Sequence, residues 1–281
     1  MPITLKESLY MDDYSILENS RNGTREEFNF IMSSGRPIMA FFTDLVFRNL
    51  HFISAISYLK IVGYFAIICS YFMLSKRWNK SKNYDVLIIF VAFSFCLPSF
   101  HSYVLFSGWF VNDLALPFSI LSLNLWTTNR LNQQFYGLII SVFSFLIYPP
   151  AALFMFGILF VEYALELFPR GRTIRTLKKA VGFTVISNLI CITTISFLLR
   201  TAHINVNPRS SFITPSEVIG KLNWIITRPF GAAFRPFFIN HPSKLDFILT
   251  YLIALILIFF IFHKKKGGVF ETFLSILIAF G

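Results

Sequence analysis

Two adjacent carboxylates, Asp12 and Asp13 in the run YMDDYS, stand upstream of a Gly35-Arg36-Pro37 triplet. Successive side chains of an extended segment diverge, so the pair cannot close on one small target together. One of them is suited to act as a general base on a sugar hydroxyl, the other as its orienting partner or as a metal ligand. The electrophile in such a reaction needs a leaving group, and a lipid phosphate is one. Arg36 carries the planar fork of donors that suits phosphate. Both features also have plainer readings. Asp12, Asp13, Glu18, Glu26 and Glu27 are equally consistent with a solvated acidic tail, and Arg36 with an interfacial arginine reaching lipid headgroups. Arg209, Arg228 and Arg235, with Lys221 and Lys244, offer either an anion site or further headgroup contacts, and the sequence does not separate the two. Asp113, with Asn112 beside it, and His101 fall near the ends of neighbouring apolar runs. Ionisable groups at that depth are expensive and tend toward function, unless Asp113 caps its helix or pairs with His101. Tyr148 stands before two prolines, where it shapes a turn.

The elements that must position these groups are apolar. Of 281 residues, 55% are hydrophobic and 14% charged, against roughly 25% charged in an ordinary soluble domain. The expected organisation is an acidic loop plus interfacial helix over 1–52, outside the bilayer, then a transmembrane bundle over 53–281. Pro37 suits the first turn of a helix over about 37–50, in which Asp44 and Arg48 are spaced for an i,i+4 ion pair. Spans are predicted at about 53–74, 86–106, 109–126, 135–148, 151–168, 180–199, 246–262 and 269–281. A long polar loop occupies 200–245. The stretch 135–168 is too long for one helix and reads as a hairpin broken at Tyr148-Pro149-Pro150, with a single proline-kinked span as the competing reading.

Charge orders these spans. Lys76, Arg77, Lys80 and Lys82, then Arg130, then Arg170, Arg172, Arg175, Lys178 and Lys179, then Lys264–Lys266 sit in connectors, and none of these four basic stretches contains an acid. Placing all four connectors in the cytoplasm makes every crossing alternate, provided 135–168 crosses twice. The acidic N-terminal segment and the 200–245 loop then face outward. The formal net charge of +11 is therefore a matter of membrane orientation, and nucleic acid is not an expected partner. Cys69, Cys96 and Cys191 lie within apolar runs without metal-ligand spacing and read as packing residues. No phosphate-binding glycine loop, HExxH or CxxC is present. A membrane-borne activated donor suits an outward-facing site, where cytoplasmic nucleotides are absent.

At Asp12-Asp13, followed by Ser34-Gly35-Arg36-Pro37 opening an amphipathic helix, the chain resembles the bacterial O-antigen glucosyltransferases, the serotype-converting enzymes encoded with phage-derived modification clusters. The likeness extends over roughly 10–280, with distinctive motifs in the first 40 residues. Tyr148-Pro149-Pro150 resembles the family's Tyr-Gln-Pro-like turn, and because Pro149 replaces the glutamine no role is carried over to it. The resemblance implies an all-α polytopic bundle of the C-type glycosyltransferase kind in the bacterial inner membrane, with its active site facing the periplasm. It implies transfer of glucose or another hexose from undecaprenyl phosphate to a lipid-linked O-antigen. Asp12 or Asp13 would serve as base or acceptor-orienting group, and Arg36 would organise the phosphate. A divalent cation is a conceivable addition. A small flippase and a polyprenyl-phosphate glucosyltransferase are the implied functional partners, beside membrane lipids. Family members carry a span just before the acidic pair and continue with further spans, so a chain incomplete at both ends, or an inactive truncated homologue, is also expected. A lipid-sugar flippase or permease component drawing on Asp113 and His101 is the reading from another class.

Overall fold

The computed structural model describes residues 16–19, 21–49, 58–79, 81, 88, 91, 110–128, 130–164, 167–205, 219–220 and 223. Among these the protein is all-α, with no strand. The predicted spans 246–262 and 269–281 lie outside the described residues. So does 86–106 except for Ile88 and Val91, and the 200–245 loop is described only at its start and at three interior residues.

The first elements form a helical corner. Glu26–Ser33 is α1 and Pro37–Asn49 is α2. The segment read as a hydrophilic tail is thus helical in part: a turn over 16–19 buries Ile16 and Leu17 against Phe47 of α2. The reason is that two apolar residues and the apolar side of α1 outweigh an acidic composition once α2 offers them a surface. In α2 the expected pair forms, with the Arg48 Nε donating to the Asp44 Oδ1 at 2.8 Å.

Lys60–Trp78 is α3, Asn112–Leu114 a 3-10 turn, and Ala115–Trp126 is α4. Leu131–Ile147 is α5, Pro149–Ala152 is α6, Phe154–Ala164 is α7 and Arg170–Thr201 is α8. Their directions follow from contacts at each end. Arg77 of α3 meets Asn124 of α4, while Leu59 and Val62 pack beside Phe110 and Val111, so α3 and α4 run the same way. Helix α5 runs against α4. The Ser144 hydroxyl donates to the Ala115 carbonyl at 2.8 Å, and Gly137 lies against Trp126 at the other end. At Tyr148 the backbone is extended, as a residue before proline prefers, and the chain reverses. The Ser119 hydroxyl takes the Met155 N–H and donates to the Ala152 carbonyl, which ties α6 and α7 alongside α4. Helix α8 then runs parallel to α5, through Ser187–Ser141 at 3.0 Å and the Cys191 thiol on the Val142 carbonyl.

Two boundaries differ from expectation. The basic stretch from Arg170, expected as a connector before the 180–199 span, forms the first turns of a continuous helix to Thr201. Arginine and lysine are good helix formers, and no proline interrupts them. Within the predicted 109–126 span, Asn112–Leu114 is a 3-10 turn and is followed by α4. Helix Gly171–Thr201 is long and apolar enough to cross a membrane, with a mean hydropathy of 1.9 in its best window, whereas Leu131–Ile147 and Pro149–Tyr163 are shorter apolar helices. The bundle core joins Leu74 and Trp78 to Ile120, Leu123 and Trp126, and to Met155, Ile158 and Leu159. Large apolar side chains also face outward, among them Ile61, Phe65, Ile68 and Phe72 along one stripe of α3.

Candidate functional site

Gly35-Arg36-Pro37 is a stop and a start. Helix α1 ends in a Schellman motif: the Arg36 N–H donates to the Ile31 carbonyl at 3.3 Å and the Gly35 N–H to the Met32 carbonyl at 3.0 Å. That motif needs a left-handed residue, and Gly35 supplies it at φ +80°. Pro37 opens α2, where its missing N–H leaves no bond unmade, and the Arg36 carbonyl accepts from the Ala40 N–H at 2.9 Å. Glycine and proline thus leave arginine at the apex of the corner.

The apex sits on the end of the bundle where α5 turns into α6. The Arg36 guanidinium carbon lies 4.7 Å from the Tyr148 ring centroid, and Ile195 of α8 is the neighbour of Gly35. Below, Ile31, Met32, Met39 and Ala40 pack on Leu199. A second apolar cluster gathers Phe110, Val111, Ala115 and Ile147, with Ile38, Leu114, Tyr148 and Ala151 against it. Asn112 and Asp113 are therefore held by residues that pack in the same cluster as Tyr148. Asn112 is 1% exposed. Both of its side-chain polar atoms, and the Asp113 Oδ2, have no hydrogen-bond partner among the described residues.

Of the residues singled out from sequence, Gly35, Arg36, Pro37 and Tyr148 come together, and Asp113 flanks the same cluster. Asp12, Asp13, His101, Arg209, Arg228 and Arg235 lie outside the described residues. Among the described residues no three of His, Cys, Asp and Glu gather closely enough to hold a metal ion.

Two polar features escaped the sequence reading. Lys60 is 2% exposed at the head of the buried stripe of α3. At the opposite end, Glu162 of α7 takes two hydrogen bonds from Arg77, from Nε at 2.5 Å and from the second terminal nitrogen at 2.9 Å. It takes a third from the Trp78 indole at 2.9 Å, while Arg77 also donates to the Asn124 amide oxygen at 2.8 Å. The signal for both was an isolated ionisable residue in an apolar run.

No protein-family model matches this chain, and no curated protein or solved structure matches it significantly.

Proposed function

We propose that the chain is a polytopic inner-membrane glycosyltransferase of the C type that uses a polyprenyl-phosphate sugar as donor at the periplasmic face. The observation that carries this reading is Arg36 mounted on Tyr148 at the apex of the Gly-Arg-Pro corner. A guanidinium engages an aromatic ring through its face, while an oxyanion is bound by the N–H edges in its plane. Such a mount suits a group that must hold a lipid phosphate at a fixed place.

Two further observations support a membrane setting. Helix α8 measures about 48 Å at the usual rise, longer than the roughly 30 Å hydrocarbon layer, so its basic first turns would extend past the lipid tails. The outward Phe65 and Phe72 on α3 suit lipid rather than water. Arg77, Arg130 and Arg172 lie towards the end of the bundle opposite Arg36, which matches a cytoplasmic assignment for that end.

In the proposed reaction an acceptor hydroxyl attacks the anomeric carbon of the donor sugar. The new bond joins the acceptor oxygen to that carbon as the bond to the phosphate oxygen breaks. The hydroxyl proton passes to Asp12 or Asp13, and polyprenyl phosphate departs with the added negative charge. Arg36 stabilises that charge as it develops on the leaving oxygen. The test is transfer from a radiolabelled polyprenyl-phosphate sugar in membranes, comparing wild type with D12N, D13N and R36A. Loss of turnover is expected in R36A and in at least one carboxamide variant, and unchanged turnover in all three overturns the mechanism.

A further inference from the structure

We infer that Asn112, with Asp113 beside it, forms a subsite for the hydroxyl groups of the donor sugar, separate from the phosphate group assigned to Arg36. This rests on the reading of a sugar-bearing lipid donor given above. The 3-10 turn Asn112–Leu114 is pinned from several sides: Val111 and Ala115 on either side of it pack on Ile147, and Leu114 joins the same cluster as Tyr148. The turn therefore has little freedom to carry Asn112 out to solvent.

Inside that frame the Asn112 carboxamide presents a donor and an acceptor, both without a hydrogen-bond partner among the described residues, at 1% exposure. A buried amide in this condition is destabilising unless a ligand or water completes it. Asp113 beside it is half-buried as a residue, and its Oδ2 is a buried oxygen that likewise has no hydrogen-bond partner among the described residues. A carboxamide that both donates and accepts, next to a carboxylate oxygen that accepts, matches a neutral group with adjacent hydroxyls. An anion, which only accepts, would find one donor there, the Asn112 amide nitrogen. Arg36 has the opposite preference. Val111 and Ala115, which flank Asn112–Leu114, pack in the cluster that Tyr148 joins, and Arg36 lies over Tyr148, so both groups belong to one end of the bundle, where a single ligand bearing an anion and a polyol would engage them.

The test is lipid binding by the purified full chain in nanodiscs, read by thermal unfolding across a titration. The probes are polyprenyl phosphate and the same lipid bearing glucose. Wild type is expected to bind the glucosylated lipid about tenfold more tightly than the bare phosphate. In Asn112→Leu the two lipids bind alike, with affinity for the bare phosphate retained. In R36A both weaken together and the ratio between them survives. Asn112→Ser provides the same readout should the leucine variant fail to fold. A wild-type chain without sugar preference, or an Asn112→Leu variant that keeps it and merely becomes more stable, overturns the inference and makes Asn112 a core residue. Sugar preference without any transfer activity sinks the transferase reading while leaving the subsite. Transfer unaffected by Asn112→Leu does the reverse.

Discussion

A guanidinium resting on an aromatic ring meets it through one face, while its hydrogen-bond donors lie in its plane. This makes Arg36 and Tyr148 separable by substitution. Arg36→Ala is expected to reduce kcat/KM for transfer by about a hundredfold or more, the usual scale for removing a donor aimed at developing negative charge. Arg36→Lys keeps the charge without the fork and should fall between that variant and wild type. Tyr148→Phe preserves the ring and should transfer almost normally. Tyr148→Leu removes the ring face, a contact worth about 0.5–1 kcal/mol at an exposed site, and should lose several-fold. Equal losses in the phenylalanine and leucine variants would show that the hydroxyl, not the ring, is what matters. These substitutions are read in kcat/KM beside a melting temperature, so that misfolding is recognised as such.

Individual elements owe their placement to small residues at fixed points. Gly35 stands at φ +80° with only the Ile195 Cδ1 near a would-be Cβ, at 3.8 Å. Gly35→Ala therefore costs conformational strain alone, about 1–2 kcal/mol, and should lower the melting temperature modestly. Gly137 is the opposite case. A Cβ there would meet the Trp126 ring at 2.6 Å, and that ring cannot retreat, being stacked on Phe183 at 4.9 Å and almost fully buried. Gly137→Ala should be the more damaging of the two in thermal unfolding; a melting temperature no lower than that of Gly35→Ala would contradict the close α4–α5 approach. Much of this local structure is legible in the sequence. Gly35 and Pro37 announce a helix end and a helix start, and Tyr148-Pro149 announces a break. What they bring together is not legible, because Arg36 and Tyr148 meet only through the packing of α2 on α5. The basic run from Arg170 shows the same limit in reverse. Its charges suggest a connector, yet nothing in a charge pattern says whether the chain there is loop or helix.

Across the whole molecule the two ends of the bundle differ in kind. One end has the Arg36 corner and Asn112, which is unpartnered among the described residues; the other is closed by Glu162, Arg77, Asn124 and Trp78. With side-chain exposures of 10% for Arg77 and 2% for Glu162, the closure is a buried ion pair with its hydrogen bonds satisfied. Glu162→Ala leaves Arg77 buried and uncompensated and should cost about 3–5 kcal/mol, whereas replacing both by apolar residues, as in R77M with E162L, should be far milder. Unfolding measurements that found the double variant worse than the single would contradict this account of the closed end. The sequence displayed Arg77 only as one of several connector charges, since its partner lies 85 residues further along the chain. The claim on which the functional reading depends is that these ends lie on opposite sides of a membrane. Impermeant maleimide labelling tests it directly, in a chain with Cys69, Cys96 and Cys191 replaced by alanine and a single cysteine introduced at Asn22 or at Lys178, both exposed. The expected result is that Asn22→Cys is labelled on intact spheroplasts and Lys178→Cys only after the membrane is opened. Labelling of both from the same side, or of Lys178→Cys alone from outside, would contradict it.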